Sequence, residues 1–140
     1  MSLLGGMFQK ASQADVLVVD DEASVRAIIC DALQAAGLRT AETNDGRKAF
    51  AAAKEVRPRL VLLDVDMPVF TGLMALEGLK ADAATRDIPV VMVTARALTS
   101  EVDEALRRGA AGYVTKPFEV RRLLKKVSEF VPLPNPPPPL

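Results

Sequence analysis

Histidine is absent from the sequence, and cysteine occurs only once. Without histidine the chain cannot build a Ser-His-Asp triad, a Cys-His pair, a histidine zinc site or a phosphohistidine of its own. Its chemistry must therefore rest on carboxylates, lysine and hydroxyl groups. The single cysteine, Cys30, excludes an internal disulfide, and it lies within a helical apolar pattern. We expect a buried thiol in a reducing, cytoplasmic compartment.

An excess of charge and a long apolar run are also lacking. Lysine plus arginine equals aspartate plus glutamate at 18 each, so no overall field attracts nucleic acid or an anionic membrane. No apolar run approaches the roughly 20 residues that span a bilayer, and the start of the chain lacks the zones of a signal peptide. We expect neither direct nucleic-acid binding nor a membrane segment.

Two terminal segments differ in composition from the rest of the chain. Residues 1–14, which begin MSLLGG, show no sustained period and predict a flexible leader. Residues 132–140 read PLPNPPPPL, and proline lacks the amide hydrogen that helices and sheets need. This end predicts an extended polyproline tail, a linker or a ligand rather than core. The predicted domain is 15–131, which has the usual size of one compact unit.

Short apolar runs alternate with stretches of helical spacing inside this domain. The runs predict five strands, of which the second is weakly signalled, at residues 16–19, 39–43, 60–63, 90–93 and 112–115. Gly37 and Gly109 stand where the first and fourth helices should end. The alternation is typical of an α/β fold with a parallel sheet covered on both faces, whose ligands bind at the carboxyl ends of the strands.

Acidic residues follow two of the predicted strands abruptly. Asp20 and Asp21 follow the first strand, and Asp64 and Asp66 follow the third. If these strands are neighbours, Asp20, Asp21 and Asp64 converge in one shallow pocket, where like charges repel unless a cation joins them. A few carboxylates with water and phosphate suit Mg²⁺. Aspartates after strands often only cap the next helix, but two such strands favour a metal site.

A hydroxyl and an ammonium group reach the same predicted edge of the sheet. Thr94 and Ala95 end the fourth strand, and Lys116 and Pro117 follow the fifth. A lysine and a threonine can contact phosphoryl oxygens, and the small Ala95 leaves room for the incoming group. Taken singly, Lys116 would be an ordinary solvated lysine. Together with the acids, these residues predict a phosphoryl-transfer site.

These four motifs, in this order, resemble the response-regulator receiver family of two-component signalling over residues 15–131. They are the pair Asp20-Asp21, the segment Asp64-Val65-Asp66-Met67-Pro68 with Gly72 beyond it, Thr94-Ala95, and Lys116-Pro117-Phe118. The resemblance implies a flavodoxin-like, doubly wound fold with five helices and a five-stranded parallel sheet in the order 2-1-3-4-5. It also implies a phosphoprotein that carries an aspartyl phosphate on Asp64.

The resemblance assigns the metal ligands. Asp21 and Asp64 would bind Mg²⁺ directly, together with the backbone carbonyl of Asp66. Asp20 would act through a metal-bound water.

The resemblance also implies roles for the remaining site residues. Thr94 and Lys116 would contact the phosphoryl oxygens, and the bond between Lys116 and Pro117 would be cis. Tyr113 matches the family's switch aromatic, whose ring changes exposure when Thr94 moves. A lone tyrosine in a strand is as often a packing residue.

Four residues should form the rim of the site, namely Met67, Ala95, Arg96 and Pro117. Asp66 and Arg96 occupy positions that vary within the family, and both should flank the mouth of the site. We hypothesise that they form an ion pair that partly covers the phosphoryl group and tunes its hydrolysis. An exposed pair of this kind should contribute little to stability.

The resemblance implies a signalling switch that catalyses only its own phosphorylation and slow dephosphorylation. Without histidine the chain needs an external donor, a histidine kinase, a phosphotransfer protein or a small phosphodonor. An effector protein or output domain would lie downstream, and the sequence leaves a homodimer open. One alternative is an unphosphorylated adaptor with the same fold. Another is a haloacid-dehalogenase-type phosphatase, since Asp64-Val65-Asp66 matches its motif, although that family places the motif on its first strand.

Overall fold

Strands and helices alternate along the chain in the computed structural model, which describes residues 14–95 and 100–138. The described residues form five strands and five α-helices: β1 (Val16–Val19), α1 (Ala23–Ala35), β2 (Thr40–Thr43), α2 (Ala49–Val56), β3 (Leu60–Asp64), α3 (Gly72–Ala81), β4 (Val90–Thr94), α4 (Ser100–Arg107), β5 (Gly112–Thr115) and α5 (Val120–Ser128). A single turn of 3-10 helix, Gly46–Lys48, precedes α2.

The five strands form one parallel sheet in the order β2-β1-β3-β4-β5, which confirms the predicted order. Val19 pairs with Leu63, and Thr94 pairs with Thr115. The strands therefore finish level with one another. We call the side of the sheet where they finish the carboxyl edge, and the side where they begin the amino edge.

The core has two layers because successive side chains of a strand point to opposite faces of the sheet. One layer packs against α1 and α5, and its strand residues are Val16, Val18, Leu60, Leu62, Val91, Val93 and Val114. The other packs against α2, α3 and α4, and its strand residues are Leu17, Val19, Val61, Leu63, Val90 and Met92. Burying each valine or leucine stabilises the fold by roughly 1.5–3 kcal/mol.

The weakly signalled second strand is the edge strand β2, which begins at Thr40. No residue of β2 is fully buried, so it lacks the continuous apolar run of the central strands. Its pairing with β1 sets its position, from Val16 opposite Thr40 to Val19 opposite Thr43. The weakness of its sequence signal follows from its place at the edge of the sheet.

Gly37 and Gly109 end helices as predicted, with φ angles of +93° and +107°. A side chain is disfavoured in this left-handed region. At Gly37 a Cβ atom would also lie 2.9 Å from the Cβ of Pro134. The end of α1 is therefore in close contact with the proline-rich tail.

The described part of the tail lies against the domain. Leu133 packs on the same core layer as the fully buried Val131. The backbone amide of Asn135 donates to the carbonyl of Ala36 at 2.8 Å, and the Arg121 guanidinium donates to the carbonyl of Pro138. This part of the tail thus adds to the core layer of α1 and α5, unlike the separate linker or ligand predicted from its proline content.

Three further expectations bear on the ends and the interior of the domain. Ala14, which was assigned to the leader, is buried, while residues 1–13 lie outside the described part of the chain. The free thiol of Cys30 is buried, as predicted. Burial and the nearby Glu42 carboxylate both raise the pKa of this thiol. Among the described residues, no helix has the length and apolar character that crossing a membrane requires.

Candidate functional site

Three carboxylates meet at the carboxyl edge of the sheet. Asp20 and Asp21 follow β1, and Asp64 ends the adjacent strand β3. One carboxylate oxygen from each lies within 4.8 Å of the other two. Asp20 and Asp64 are buried, with 1% and 3% of their surface exposed, whereas Asp21 is exposed. The parallel pairing of β1 and β3 thus produces the acidic pocket that the sequence predicted.

Among the described residues, four hydrogen bonds hold Asp20 in place. Its Oδ1 accepts from the backbone amide of Glu22 at 2.9 Å, and its Oδ2 accepts from Lys116 Nζ at 3.0 Å. Its own amide donates to the carbonyl of Thr43 at 3.2 Å, and its carbonyl accepts from Arg26 Nη1 at 2.7 Å. Both the side chain and the backbone of Asp20 therefore have fixed positions.

Asp64 is a buried carboxylate in an unfavourable electrostatic setting. Its Oδ1 accepts from the amide of Asp66 at 3.1 Å and lies 3.4 Å from Lys116 Nζ. Burial, followed by repulsion from Asp20, raises the pKa of Asp64 to about 6, against the opposing pull of Lys116 and the Asp66 amide. Among the described residues, the three carboxylates of the pocket carry more negative charge above that pH than the Lys116 ammonium group neutralises, which favours a bound cation.

Lys116 reaches the pocket from the end of β5. Its backbone amide donates to the carbonyl of Thr94 at 2.7 Å, and its bond to Pro117 is cis, as the resemblance implied. Burial lowers the pKa of Lys116, but the hydrogen bond to Asp20 and the charge of Asp64 outweigh that effect and raise it. The ammonium group is therefore charged between two buried acids.

Thr94 ends β4 at the same edge and is completely buried. Asp64 pairs with Val93, so Thr94 lies one residue beyond the strand partner of Asp64. The next residue, Ala95, is exposed. Carboxylates, an ammonium group and a hydroxyl thus come together from four strands at one edge. Arg96, expected to pair with Asp66, lies outside the described residues.

Sequence comparison agrees with this geometry. The family model described as "Response regulator receiver domain" matches residues 16–128. The chain belongs to the response regulator receiver family. Its function is that of a phosphoacceptor in two-component signalling, a switch and not a classical enzyme, with an acidic pocket formed by Asp20, Asp21 and Asp64. The family comparison thereby favours the receiver interpretation over the phosphatase alternative.

Curated relatives include larger regulators. The phosphate regulon transcriptional regulatory protein PhoB of Klebsiella pneumoniae is 40% identical over 112 residues, which cover 80% of this chain and 49% of PhoB. The DNA-binding response regulator MtrA of Mycolicibacterium paratuberculosis is 39% identical over 112 residues, which cover 80% of this chain and 48% of MtrA. The receiver chain thus spans about half the length of the curated relatives it matches.

Solved receiver structures share the fold. Chemotaxis protein CheY4 of Vibrio cholerae has a TM-score of 0.80 at 32% identity and covers 86% of this chain and 100% of its own. The receiver domain of the sensor histidine kinase PA1611 of Pseudomonas aeruginosa has a TM-score of 0.77 at 27% identity, covering 85% of this chain and 98% of its own. The latter structure contains a magnesium ion in its active site cleft.

The pocket of this receiver fits Mg²⁺ by the chemistry of its donors. Mg²⁺ prefers oxygen ligands and keeps several waters, and it is held in phosphate sites by one or two carboxylates. Here three carboxylates converge, and the exposed Asp21 leaves one side open to water. Burial and the neighbouring Asp20 carboxylate raise the pKa of Asp64, and a bound cation would oppose both effects. Receivers bind Mg²⁺ at such an acidic site.

The loop between β3 and α3 packs closely against the pocket. A Cβ atom on Gly72 would lie 2.3 Å from the carbonyl oxygen of Asp64, so only glycine permits this approach. Val69 has a φ of +65° and is 86% exposed, an unusual conformation for a β-branched residue. The prediction that Met67 forms part of the rim is wrong, because its side chain is buried in the core layer of α2, α3 and α4.

Tyr113 lies on β5, opposite Met92 and three residues before Lys116. Its ring is half-buried and packs against the layer of α2, α3 and α4. It also lines a groove of about 850 Å³ between β5 and α5. Tyr113 is thus a packing residue, and its role as a switch stays a prediction.

The sequence reasoning did not identify Arg26 or Glu22 as residues that contact Asp20. Arg26 lies one turn into α1 and donates to the carbonyl of Asp20. It is the only basic residue within α1, which is a signal that could have drawn attention to it. Its contact with Asp20 could not be read from the sequence, since it depends on the angle at which α1 leaves the sheet.

Proposed function

We propose that Asp64 accepts the phosphoryl group and becomes an aspartyl phosphate. The observation that carries this proposal is the placement of Lys116 Nζ, 3.0 Å from a carboxylate oxygen of the buried Asp20 and 3.4 Å from one of the buried Asp64. Phosphoryl transfer depends mainly on placement and on neutralising charge. A buried carboxylate beside a fixed ammonium group and a metal site provides both.

The metal ligands in this proposal are those that the family resemblance implies. Asp21 and Asp64 would hold Mg²⁺ directly together with the backbone carbonyl of Asp66, and Asp20 would act through a water. The hydrogen bonds that fix Asp20 and the convergence of the three carboxylates support this assignment. Once bound, the ion would neutralise charge that develops on the phosphoryl oxygens.

The protein groups have separate roles in the transfer. An oxygen of ionised Asp64 attacks phosphorus while the bond between phosphorus and the donor breaks, so Asp64 needs no general base. Lys116 and Thr94 contact the phosphoryl oxygens, and the exposed, small Ala95 leaves access at the rim beside Pro117. Water later hydrolyses the acyl phosphate slowly. The chain thus catalyses only its own phosphorylation and dephosphorylation.

The switch in this proposal runs from Thr94 to Tyr113. When Thr94 moves toward the phosphoryl group, the balance between two arrangements of the β4–α4 and β5–α5 loops changes. The ring of Tyr113 already lies at the groove between β5 and α5, which supports a partner surface there. A change in the exposure of this ring would alter that surface.

The partners follow from the missing histidine and the balanced charge. The phosphodonor is a histidine kinase or a phosphotransfer protein in the cytoplasm, and the recipient of the signal is an effector protein or an output domain. PhoB and MtrA are named as transcriptional and DNA-binding regulators. With equal numbers of acidic and basic residues, this chain would not itself bind nucleic acid, and a homodimer is compatible with the groove at β5.

The decisive experiment is intact-mass measurement after incubation with acetyl phosphate and Mg²⁺. We expect a gain of one phosphoryl group, about 80 Da, in the parent chain and none in Asp64→Asn. Asp31→Asn is the matched control, because Asp31 is an exposed aspartate on α1. Chelation of the metal should abolish the gain. A parent chain that binds Mg²⁺ but gains no mass with any phosphodonor would instead be the unphosphorylated adaptor.

The pairing of Asp66 with Arg96 remains part of the proposal. Asp66 is exposed two residues after Asp64, a position that supports its placement at the mouth of the pocket. If the pair covers the phosphoryl group, Arg96→Ala should lose its phosphoryl group faster than the parent. Decay followed by intact mass measures this rate. Equal rates for both chains would remove the pair from the mechanism.

A further inference from the structure

Arg26 makes two contacts that the proposed chemistry does not use. Its Nη1 donates to the backbone carbonyl of Asp20 at 2.7 Å, and its Nε donates to the Glu42 carboxylate at 2.9 Å. The arginine side chain is only 16% exposed, while that of Glu42 is 50% exposed. A single guanidinium group thus links α1, the end of β1 and β2 beside the acidic pocket.

The carbonyl that Arg26 holds belongs to the peptide unit joining Asp20 to Asp21. A peptide unit is planar, so fixing its oxygen also fixes the direction of the following amide and the Cα atom of Asp21. The amide of Asp20 is already bound to Thr43, and its carboxylate is bound to Glu22 and Lys116. The bond from Arg26 completes this set and leaves the exposed Asp21 side chain on a fixed backbone.

We infer that Arg26 is a positioning residue that sets the backbone of the two metal-binding aspartates, Asp20 and Asp21. This inference rests on the proposed function of the pocket as a Mg²⁺ site. Some groups hold metal ligands in position without touching the ion. Their loss typically lowers metal affinity 10- to 100-fold. Glu42 in turn holds the guanidinium in place.

Three roles for Arg26 predict different results for Mg²⁺ binding. If Arg26 acted through its charge alone, removing it would tighten Mg²⁺ binding, since a positive charge near the pocket repels the ion. If it only stabilised the fold, Mg²⁺ affinity would stay the same while the melting temperature fell. Positioning predicts weaker Mg²⁺ binding despite the loss of a repelling charge.

The test measures the Kd for Mg²⁺ by calorimetric titration of the whole chain, alongside the melting temperature. We expect Arg26→Gln to raise this Kd about tenfold. Arg26→Lys keeps the charge and one donor, so its Kd should lie between those of the parent and Arg26→Gln. Arg39→Gln is the control, because Arg39 pairs with Asp15 at the opposite, amino edge of the sheet. Its Kd should equal that of the parent.

A second readout separates binding from chemistry. With acetyl phosphate, the Mg²⁺ concentration giving half the maximal phosphorylation rate should rise about tenfold in Arg26→Gln. The maximal rate at saturating Mg²⁺ should stay within about twofold, because Arg26 does not touch the reacting atoms. This split between affinity and rate would not arise from a merely structural role.

These measurements distinguish a failure of the role inferred for Arg26 from a failure of the proposed function. Parent-like or tighter Mg²⁺ binding by Arg26→Gln overturns the role of Arg26, whatever the phosphorylation result. If Arg26→Gln does not fold, a parent-like Kd in Arg26→Lys overturns it. Failure of the parent to bind Mg²⁺ removes both ideas. A parent that binds Mg²⁺ without gaining mass removes only the proposed phosphorylation.

Discussion

The two edges of the sheet place charges in opposite ways. At the amino edge, Asp15 accepts from the amide of Arg39 at 2.7 Å, and the exposed Arg39 guanidinium lies 3.6 Å away. At the carboxyl edge, the buried Asp20 and Asp64 both lie beside the ammonium group of Lys116. The first arrangement satisfies one carboxylate, whereas the second concentrates negative charge. The charges at the amino edge thus stabilise the fold. Those at the carboxyl edge destabilise it, but they form a site that can bind a cation and a phosphoryl group.

The largest effect should come from breaking the close packing at the carboxyl edge. Gly72→Ala would place a Cβ atom 2.3 Å from the carbonyl of Asp64, so we expect a loss of about 3 kcal/mol in the free energy of unfolding and slower phosphorylation. Urea denaturation measures the first effect and intact mass the second. Gly78→Ala is the control, since a Cβ atom there meets nothing within 4 Å and alanine should stabilise α3 by up to about 1 kcal/mol. Equal effects of the two changes would refute this account.

Mg²⁺ binding at the carboxyl edge should raise the free energy of unfolding by almost as much as Gly72→Ala lowers it. A ligand that binds only the folded state adds about 2.7 kcal/mol at a hundred times its Kd. The stabilisation should be reversed by a chelator and strongly reduced in Asp64→Asn, because that change removes one of the three converging carboxylates. Thermal unfolding at several Mg²⁺ concentrations measures it. Equal stabilisation of Asp64→Asn would place the ion elsewhere.

The charge of Asp64 should itself be destabilising without metal. Because the folded-state pKa is raised from 3.8 to about 6, the stability present below pH 3.8 is lost as the pH rises through 6. Asp64→Asn should therefore be more stable than the parent at pH 7.5. We expect about 1–2 kcal/mol, since one pKa unit corresponds to about 1.4 kcal/mol and solvent screens part of it. The gain should vanish near pH 4.

The matching change at the amino edge should have the opposite sign. Asp15→Asn weakens the pair with Arg39 and should cost up to about 1 kcal/mol at pH 7.5. Urea denaturation in chelator, at pH 7.5 and pH 4, measures both variants. If both changes shift stability in the same direction, the contrast between the two edges is wrong.

The smallest effect concerns residues with a positive φ angle, which occur at both edges. Val69 lies in the loop at the carboxyl edge with a φ of +65°, and Arg57 follows α2 near the amino edge with a φ of +47°. Left-handed conformations cost roughly 1–2 kcal/mol for residues with a side chain, and a branched Cβ increases the crowding. Val69→Gly should thus stabilise by about 1 kcal/mol in urea denaturation, and more than Arg57→Gly. A loss of stability would mean that Val69 is not strained.

The sequence predicted the features that arise from local patterns. Continuous apolar runs located the central strands, although β3 and β4 each extend one residue further, to Asp64 and Thr94. Their final polar residues did not fit an apolar pattern. They are buried nevertheless, because each still pairs with a neighbouring strand of the sheet. The convergence of the three acids followed from strands whose ends are level with one another.

The features that the sequence did not predict depend on distant contacts. The bond between Arg26 and Asp20, the packing of Leu133 and the contact of Asn135 with Ala36 join elements whose relative positions no local pattern encodes. The tail was predicted to be a linker from its proline content alone. That prediction took no account of Leu133, which lies between two prolines and packs on the core.

The position of Tyr113 has a practical consequence for optical spectroscopy. The chain contains one tyrosine and no tryptophan, so nearly all of its near-ultraviolet emission comes from this ring. The ring is half-buried on β5, three residues before the lysine of the acidic pocket. The protein therefore carries a built-in fluorophore at the one aromatic position expected to respond to phosphorylation, and its signal can be recorded without any label.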